Sequence, residues 1–262
     1  MKILIVSGFL GAGKTTFIKR LARNVDQRFA ILENEYGAAG IDGARLGQNR
    51  QGTQKNVWEM TEQCICCIGK KDFAASVLTI ANVVDPEYLI VEPTGVGSLA
   101  RIIENLRQIE YERIQLLSPV TIVDVYSYRR YMAEYPELYQ DQIRSADTII
   151  VSKTEACQAE EKQRIQKFLQ EINPQAKIIT DYASTMTRED YQSLLLGGRY
   201  EKEVQDTQSG EKMPETFSFE NIRMEAPETL WCFLEQIIRG AFGNIILSLI
   251  HISEPTRQEA IS

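Results

Sequence analysis

The stretch Gly8–Thr15 reads GFLGAGKT and stands between an apolar run, Lys2–Val6, and a helix-like stretch that begins at Lys14. It matches the pattern G-x-x-x-x-G-K-[ST] of a phosphate-binding loop. Glycines let the backbone curl so that successive N–H groups face an anion, and the amino end of the following helix adds positive potential. The alternative is a chance glycine-rich turn, and the strand-like run and helix on either side argue against it. The stretch therefore predicts a site for a nucleoside triphosphate and magnesium.

The residue types in this loop suit phosphate chemistry. Lys14 is expected to bridge the β- and γ-phosphates, and the Thr15 hydroxyl is expected to ligate magnesium. The residues of the loop predicted to bind the nucleotide are Gly8, Gly11, Ala12, Gly13, Lys14, Thr15 and Thr16.

A second segment, Leu89–Gly95, reads LIVEPTG, an apolar strand that ends in a carboxylate and is followed by a glycine. Glu92 is expected to meet magnesium directly or through water, and Gly95 to donate its N–H to the γ-phosphate. Alone, an acid at the end of a strand is weak evidence. At the carboxyl end of a strand that follows a phosphate loop, it supports the same site.

Apolar, β-branched runs alternate with helix-like stretches over about the first 180 residues. This alternation predicts an α/β fold, a mostly parallel sheet of the P-loop NTPase kind with helices on both faces. The predicted strands are Lys2–Val6, Phe29–Glu33, Tyr88–Glu92, Val120–Asp124, Thr148–Val151 and Lys177–Thr180. The predicted helices are Lys14–Arg23, Lys71–Asn82, Ser98–Leu106, Tyr126–Arg144 with an interruption at Pro136, Ala159–Glu171 and Thr187–Leu195.

The domain organisation follows from a change in composition. Residues 1–196 are predicted to form the nucleotide-binding domain, and the polar stretch 197–214 is predicted to be a linker. Thr216–Arg223 looks like a strand and Pro227–Arg239 like an amphipathic helix. Residues 215–246 are therefore expected to begin a small α+β C-terminal domain.

The last segment is unusual. Leu247–Arg257 reads LSLIHISEPTR, which resembles the translation of a transposase-type sequencing adapter, and Ile261 and Ser262 continue that resemblance. The alternative is a natural C-terminal helix and tail, but a domain rarely stops before a closing element. We expect residues 247–262 to be a non-native tail, so His251, the one histidine, would not belong to the natural protein.

The bulk composition excludes several classes of protein. The chain has 262 residues and a formal net charge of −7, so it lacks the basic excess that neutralises nucleic-acid phosphates. No apolar run is long enough to cross a bilayer, and Met1–Ser7 is too short for a signal sequence. We expect a cytoplasmic protein that binds neither nucleic acid nor membrane, with thiols kept reduced.

Three of the five cysteines lie together, at Cys64, Cys66 and Cys67. Thiolates are soft ligands that suit zinc, and no second C-x-x-C or histidine stands nearby to close a four-coordinate structural site. A position stays open for an oxygen donor, water or a partner protein, which suits a metal that must leave again. The alternative is buried cysteines that act as small apolar residues. Cys157 and Cys232 are isolated and are expected to be structural.

Together, these motifs resemble the CobW family of P-loop GTPases. The matching segments are GFLGAGKTT at Gly8–Thr16, ENEYGAAGID at Glu33–Asp42, CICC at Cys64–Cys67 and EPTG at Glu92–Gly95, with further likeness at Val120–Asp124 and at QIRSAD, Gln142–Asp147.

The resemblance implies GTP-driven delivery of zinc, or of a similar metal such as cobalt, to a client metalloprotein, for example a zinc- or corrinoid-dependent enzyme. It implies that Glu33–Asp42 is a switch segment ordered by the γ-phosphate. In that scheme Glu35 lends an oxygen to the transition metal, and Asp42 positions magnesium or water. The oligomeric state stays open, a homodimer being one option.

The chain departs from the family at the base-reading signature Asn-Lys-x-Asp, which is Ser152-Lys153-Thr154-Glu155 here. The resemblance implies that Lys153 covers the guanine ring and that Glu155 accepts its N–H groups. Serine has no amide to present, and glutamate is one methylene longer. We expect GTP to be favoured over ATP by a smaller factor than with the full motif. A histidine-rich stretch, found in some relatives, is missing, which leaves the metal open.

Two other functions fit parts of this pattern. One is a nucleotide-binding metal or redox sensor whose cysteines regulate it. The other is a P-loop small-molecule kinase, in which the clustered cysteines would have no role.

Overall fold

The computed structural model of the chain describes residues 1–27, 29–35, 57–63, 70–204 and 226–241. The chain divides into two compact units, Met1–Thr216 and Phe217–Ser262. The predicted strand Thr216–Arg223, most of the predicted linker and the adapter-like tail lie outside the described residues.

The first unit is built on a parallel sheet. Its strands are β1 (Lys2–Gly8), β2 (Phe29–Glu35), β3 (Val57–Gln63), β4 (Tyr88–Glu92), β5 (Gln115–Leu116), β6 (Val120–Asp124), β7 (Thr148–Ser152) and β8 (Lys177–Ile179). Their order across the sheet is β3-β2-β4-β1-β6-β7-β8, and every pairing between these strands is parallel. The short β5 pairs with the first residues of β1, and β6 pairs with the last residues of β1. The predicted parallel α/β fold is confirmed.

Helices connect the strands. They are α1 (Lys14–Asn24), α2 (Lys70–Val83), α3 (Leu99–Arg107), α4 (Tyr128–Glu134), α5 (Pro136–Arg144), α6 (Ala159–Ile172), α7 (Tyr182–Thr185) and α8 (Arg188–Leu196), with α9 (Pro227–Ile238) in the second unit. The predicted break at Pro136 is confirmed. Proline lacks the N–H that a helix interior needs but fits the first turn, so one helix ends before it and the next begins with it.

Three elements were not predicted. Val57–Gln63 reads VWEMTEQ and forms β3 at the end of the sheet order, beside β2. Its polar residues interrupt the apolar run that marks strands buried on both faces. β5 and α7 have two and four residues, too few to show a hydrophobic period.

The core lies on both faces of β1. All four residues from Ile3 to Val6 have no exposed surface. On one face Leu4 and Val6 pack with Phe17 and Leu21 of α1 and with residues of α8, because alternate side chains of a strand point the same way. With both faces covered, the loops at the carboxyl ends of the strands are the part of the sheet left for binding.

In the second unit the structure describes α9, which begins at Pro227 as predicted. Its Trp231 and Ile238 side chains are 72% and 84% exposed. No helix among the described residues has the length and apolar character needed to cross a membrane.

Asn173 offers a test of how α5 and α6 are joined. Its buried amide donates to the carbonyls of Ile143, at 2.8 Å, and Ala146, at 2.8 Å. Asn173→Ala removes both of these buried hydrogen bonds, and we expect a loss of about 2 kcal/mol in the free energy of unfolding, measured by urea denaturation. Gln170→Ala, which removes an exposed amide bonded to Pro174, should cost less than about 0.5 kcal/mol. Equal losses in the two variants would contradict this account.

Candidate functional site

The phosphate loop connects β1 to α1 at the carboxyl edge of the sheet. Gly8, Gly11 and Gly13 have φ angles of 142°, 70° and 98°, in the region that side chains disfavour. At Gly8 a Cβ would also lie 2.4 Å from the carbonyl oxygen of Ile122 on β6. Gly13 is the residue before α1, and its carbonyl accepts the Phe17 N–H at 3.0 Å. The loop therefore folds as the motif predicts, with its end leading directly into the first turn of a helix.

Lys14 is 8% exposed and turns back over this loop. Its ammonium group donates to the carbonyl of Gly8 at 3.0 Å and to that of Phe9 at 3.5 Å. Burial lowers the pKa of Lys14, and the negative charge of Glu92 opposes that shift. A buried cation in a loop is a strong binding feature for a polyanion.

Thr15 and Glu92 meet beside Lys14, although 77 positions separate them in the sequence. The Thr15 hydroxyl donates to one carboxylate oxygen of Glu92 at 2.9 Å and lies 3.2 Å from the other. β1 and β4 are neighbours in the sheet, so the residues that follow β1 and those that end β4 lie together. The structure thus unites the two residues predicted to hold magnesium.

Gly95 presses against the phosphate loop. A Cβ at this position would lie 2.4 Å from the nitrogen of Leu10 and 2.8 Å from its Cα, so only glycine fits without moving backbone. This contact places the predicted γ-phosphate-sensing glycine directly on the phosphate loop.

Two side chains of α5 hold the segment that contains Gly95. The Gln142 amide donates to the carbonyls of Gly95, at 3.2 Å, and Gly97, at 3.0 Å. The Asp141 carboxylate accepts the Leu99 N–H at 2.7 Å, at the start of α3. Residues 95–99 are thereby tied to a helix that follows β6.

The segment predicted to read the base, Ser152–Glu155, lies at the end of β7. The Ser152 hydroxyl is buried and donates to the carbonyl of Ala12 at 2.6 Å, so it connects this segment to the phosphate loop. A hydroxyl has one proton, and here it is used inside the protein. Ser152 therefore keeps a bond to the phosphate loop but has no donor to spare for a base.

The other residues of this segment differ in exposure. Glu155 is exposed, and its charge contributes to raising the pKa of Tyr182, after burial of that ring. Lys153 adopts φ 60°, and its ammonium lies 2.8 Å from Asp124. Thr154 is buried and hydrogen-bonds to Asp181, whose pKa is lowered chiefly by its bond to Lys162. Lys153 and Glu155, the two residues predicted to read the base, are thus both exposed, while Thr154 between them is buried and anchored.

The predicted transition-metal residues fall largely outside the described part of the chain. This applies to Cys64, Cys66, Cys67 and Asp42, and to the side chain of Glu35. Among the described residues, no group of three or more histidine, cysteine or acidic side chains is arranged to hold a metal.

The backbone of β3 nevertheless leads to the predicted metal-binding segment. β3 ends at Gln63, one residue before Cys64, and Gln63 pairs with Glu35 at the end of β2. β2 also pairs with β4, with Glu33 opposite Glu92. The chain therefore enters the cysteine motif from the same edge of the sheet that carries the phosphate loop.

Several residues of this edge were not singled out from the sequence. They include Asp124 at the end of β6, Tyr131, whose hydroxyl donates to the Leu10 carbonyl at 3.0 Å, and Gln142. Asp124 carried the same signal as Glu92, an acid at the end of an apolar strand. Gln142 and Tyr131 lie on helices, where spacing alone does not show which polar residue reaches a loop.

Comparisons with known proteins agree with this geometry. Residues 2–180 match the model of the family described as CobW/HypB/UreG, nucleotide-binding domain. A relative, the zinc chaperone YeiR of Escherichia coli strain K12, is 30% identical over 178 residues, which cover 67% of this chain and 53% of YeiR. The chain thus spans about half the length of that curated relative.

Solved structures show the same fold. The Zn(II)-bound YjiA GTPase of E. coli aligns with a TM-score of 0.52 at 20% identity, over 77% of this chain and 66% of YjiA. The hydrogenase maturation factor HypB of Archaeoglobus fulgidus aligns with a TM-score of 0.51 at 18% identity, over 75% of this chain and 89% of HypB. With a phosphate loop, an acid on the adjacent strand and a family model matched over residues 2–180, the chain belongs to the CobW/HypB/UreG family of nucleotide-binding proteins.

Proposed function

We propose that this chain binds and hydrolyses GTP, and that it couples this activity to delivery of zinc, or of a similar metal such as cobalt, to a client metalloprotein. The observation that carries the proposal is the contact of Thr15 with Glu92 beside the buried ammonium of Lys14. The printed names of relatives, a zinc chaperone and a GTPase, support the same function. We place the activity in the cytoplasm, where thiols stay reduced.

The Thr15–Glu92 pair has the chemistry that magnesium requires. Hydroxyl and carboxylate oxygens are the hard ligands that Mg²⁺ prefers, and neighbouring corners of an octahedron with ~2.1 Å bonds lie about 3.0 Å apart. The two oxygens here are 2.9 Å apart. When bound, the ion would draw charge from the β- and γ-phosphate oxygens.

The protein's own part in hydrolysis is to orient the phosphates and stabilise charge. Lys14 would exchange its two backbone carbonyls for the β- and γ-phosphates, and the Gly95 N–H would donate to the γ-phosphate. Asp42 would orient the attacking water or magnesium. Water then adds to the γ-phosphorus as the bond to the β-phosphate oxygen breaks, which yields GDP and phosphate.

Guanine selection is assigned to Lys153 and Glu155. The Glu155 carboxylate can accept the N1–H and N2–H groups of guanine, whereas adenine would place its N1 lone pair against that charge. The exposure of Glu155 leaves it available for this role.

The metal site is assigned to Cys64, Cys66 and Cys67, with an oxygen from Glu35. The pairing of Glu35 with Gln63 supports this set, because it brings the residue next to Cys64 beside Glu35. β2 lies between β3 and β4, so a switch segment that follows β2 would contact both the γ-phosphate and the metal. Hydrolysis would then change the metal affinity through that segment.

Lys14→Ala tests the phosphate clamp. Loss of the ammonium should weaken GTP binding by about a hundredfold or more, measured by equilibrium titration. The free protein should unfold at the same or a higher temperature, because burial disfavours the charge of Lys14, as its lowered pKa records. Lys167→Ala, a change on the exposed face of α6, should leave GTP binding unaltered. GTP binding and hydrolysis that survive in Lys14→Ala would refute the phosphate-loop assignment.

Glu155→Ala tests base selection. We expect the unaltered protein to favour GTP over ATP by about tenfold, the value of one charge-assisted hydrogen bond. Glu155→Ala should remove this preference and leave tripolyphosphate binding unchanged. Glu155→Asp should retain or increase the preference for GTP. Competition binding with magnesium measures all three, with Glu171→Ala, an exposed acid of α6, as the control. An ATP preference in the unaltered protein would defeat the GTPase proposal.

Replacing Cys64, Cys66 and Cys67 with serine tests the metal site. Stoichiometric zinc binding should disappear while GTP binding and the unfolding temperature stay unchanged, because the metal is proposed to be cargo. A double variant with Cys157→Ser and Cys232→Ser is the control and should bind zinc normally. Zinc affinity should also differ between protein bound to GDP and protein bound to a non-hydrolysable GTP analogue. Equal affinities would favour the sensor over the chaperone, and unfolding of the triple variant would make the zinc structural.

A further inference from the structure

Asp124 is a nearly buried carboxylate at the end of β6, with a side chain that is 6% exposed. Its two oxygens accept three hydrogen bonds, from the backbone N–H of Tyr126 at 2.9 Å, the hydroxyl of Ser127 at 2.9 Å and the ammonium of Lys153 at 2.8 Å. A buried carboxylate is costly unless it is fully paired. This one is paired by two groups of its own loop and by one group from the base-reading segment.

The position of Asp124 in the sheet explains how it reaches that segment. β6 lies between β1, which leads into the phosphate loop, and β7, which leads into the base-reading segment. Asp124 stands directly opposite Ser152 in the β6–β7 register, one residue before Lys153. The Ser152 hydroxyl also bonds to Ala12 of the phosphate loop. Asp124 therefore connects the base-reading segment to β6, and Ser152 connects it to the phosphate loop that follows β1.

Lys153 has two features that an ordinary surface lysine lacks. Its backbone is left-handed, with φ 60°, which is unfavourable for a residue with a long side chain. Its ammonium is held by Asp124 although its side chain is 49% exposed. A lysine side chain loses much rotamer freedom when its end is fixed, and here that loss occurs before any ligand binds. The aliphatic stem of Lys153 is therefore fixed at both ends, at its own Cα and at Asp124 at the end of β6.

We propose that Asp124 is a positioning residue for the nucleotide base: it holds the Lys153 ammonium so that the stem of Lys153 stands as one wall of the base pocket. This inference rests on the proposed nucleotide-binding function. It assigns Asp124 to a part of the site different from that of Glu92, the other acid at the end of a strand, which faces Thr15 and the phosphates.

The roles of Asp124 and Glu155 can be separated by their chemistry. The stem of Lys153 is apolar and covers the flat face of a purine, so it contacts guanine and adenine alike. A carboxylate that reads N–H groups distinguishes the two bases. Asp124 therefore sets the affinity for the nucleoside part of either nucleotide, and it leaves the phosphates and the GTP-to-ATP ratio untouched.

Asp124→Asn and Lys153→Met test the proposal, because both keep the size of the side chain and remove one charge of the pair. Each should raise the Kd for GTP and for ATP by about fivefold, the upper value for a partly exposed ion pair. The Kd for tripolyphosphate should not change. The double variant should bind no more weakly than either single variant, because the two residues act as a unit.

A second ion pair gives a matched control. Glu110 and Arg199 lie 3.1 Å apart, and their side chains are 4% and 59% exposed, close to the values for Asp124 and Lys153. Glu110 also accepts the Leu116 N–H. β5 pairs with the first residues of β1, at the edge of the sheet opposite the phosphate loop. Glu110→Gln should cost similar thermal stability and leave the Kd for every nucleotide unchanged.

The outcomes separate this inference from the proposed function. If the unaltered protein binds GTP but Asp124→Asn and Lys153→Met bind both nucleotides equally well, the inference alone fails. It fails also if tripolyphosphate binding weakens with them, since the pair would then act on the whole site. Should Asp124→Asn not fold, Lys153→Met decides alone by the same comparison. An unaltered protein that binds neither nucleotide overturns the proposed function together with the inference.

Discussion

The contact between the Gly95 backbone and the phosphate loop is the constraint on which the rest of the site depends. No side chain fits between Gly95 and Leu10, so the loop after β4 can lie on the phosphate loop only while both backbones keep their present course. Gln142 fixes Gly95 from the other side. Under the proposed function, a γ-phosphate that enters beside Gly95 would meet a segment already hydrogen-bonded to α5.

The buried positive charge of Lys14 favours binding of a polyanion to the free protein. Its ammonium is buried and bonded to two neutral carbonyls, which compensate a full charge poorly. The negative charge of Glu92 opposes the lowering of the Lys14 pKa, and Glu92 also accepts the Thr15 hydroxyl. Under the proposed function, the negative charge of a triphosphate would compensate the buried ammonium of Lys14 more fully than these two carbonyls do.

Much of the fold and of the candidate phosphate site could be predicted from the sequence, because these features depend on local sequence patterns. The phosphate loop, the apolar strands and the acid of β4 lie in continuous segments whose order implies a parallel sheet, and a parallel sheet brings the ends of its strands together. Gln142 and Tyr131 could not be assigned, because their partners are backbone carbonyls 45 to 121 residues away. β3 was missed because polar residues break its apolar run, as suits its place beyond β2. The hydrogen bond from Ser152 to the Ala12 carbonyl could not be assigned either, because 140 positions separate the two residues.

The order of the strands also explains how the carboxyl edge of the sheet could hold both proposed ligands, the nucleotide and the metal. β1, β6 and β7 carry the phosphate loop, Asp124 and the base-reading segment, so the nucleoside would lie on that side of β1. β4, β2 and β3 continue the sheet on the other side and end at Glu92, Glu35 and Gln63. In the proposed function the γ-phosphate would be the part of GTP that reaches toward β4, and the cysteine motif begins one residue beyond β3. The phosphate that hydrolysis would remove is therefore the one nearest to the proposed metal site, and β2 stands between them. On this proposal, a change at the γ-phosphate would reach the metal across a single strand, whereas the base and its anchors on β6 and β7 would not need to move.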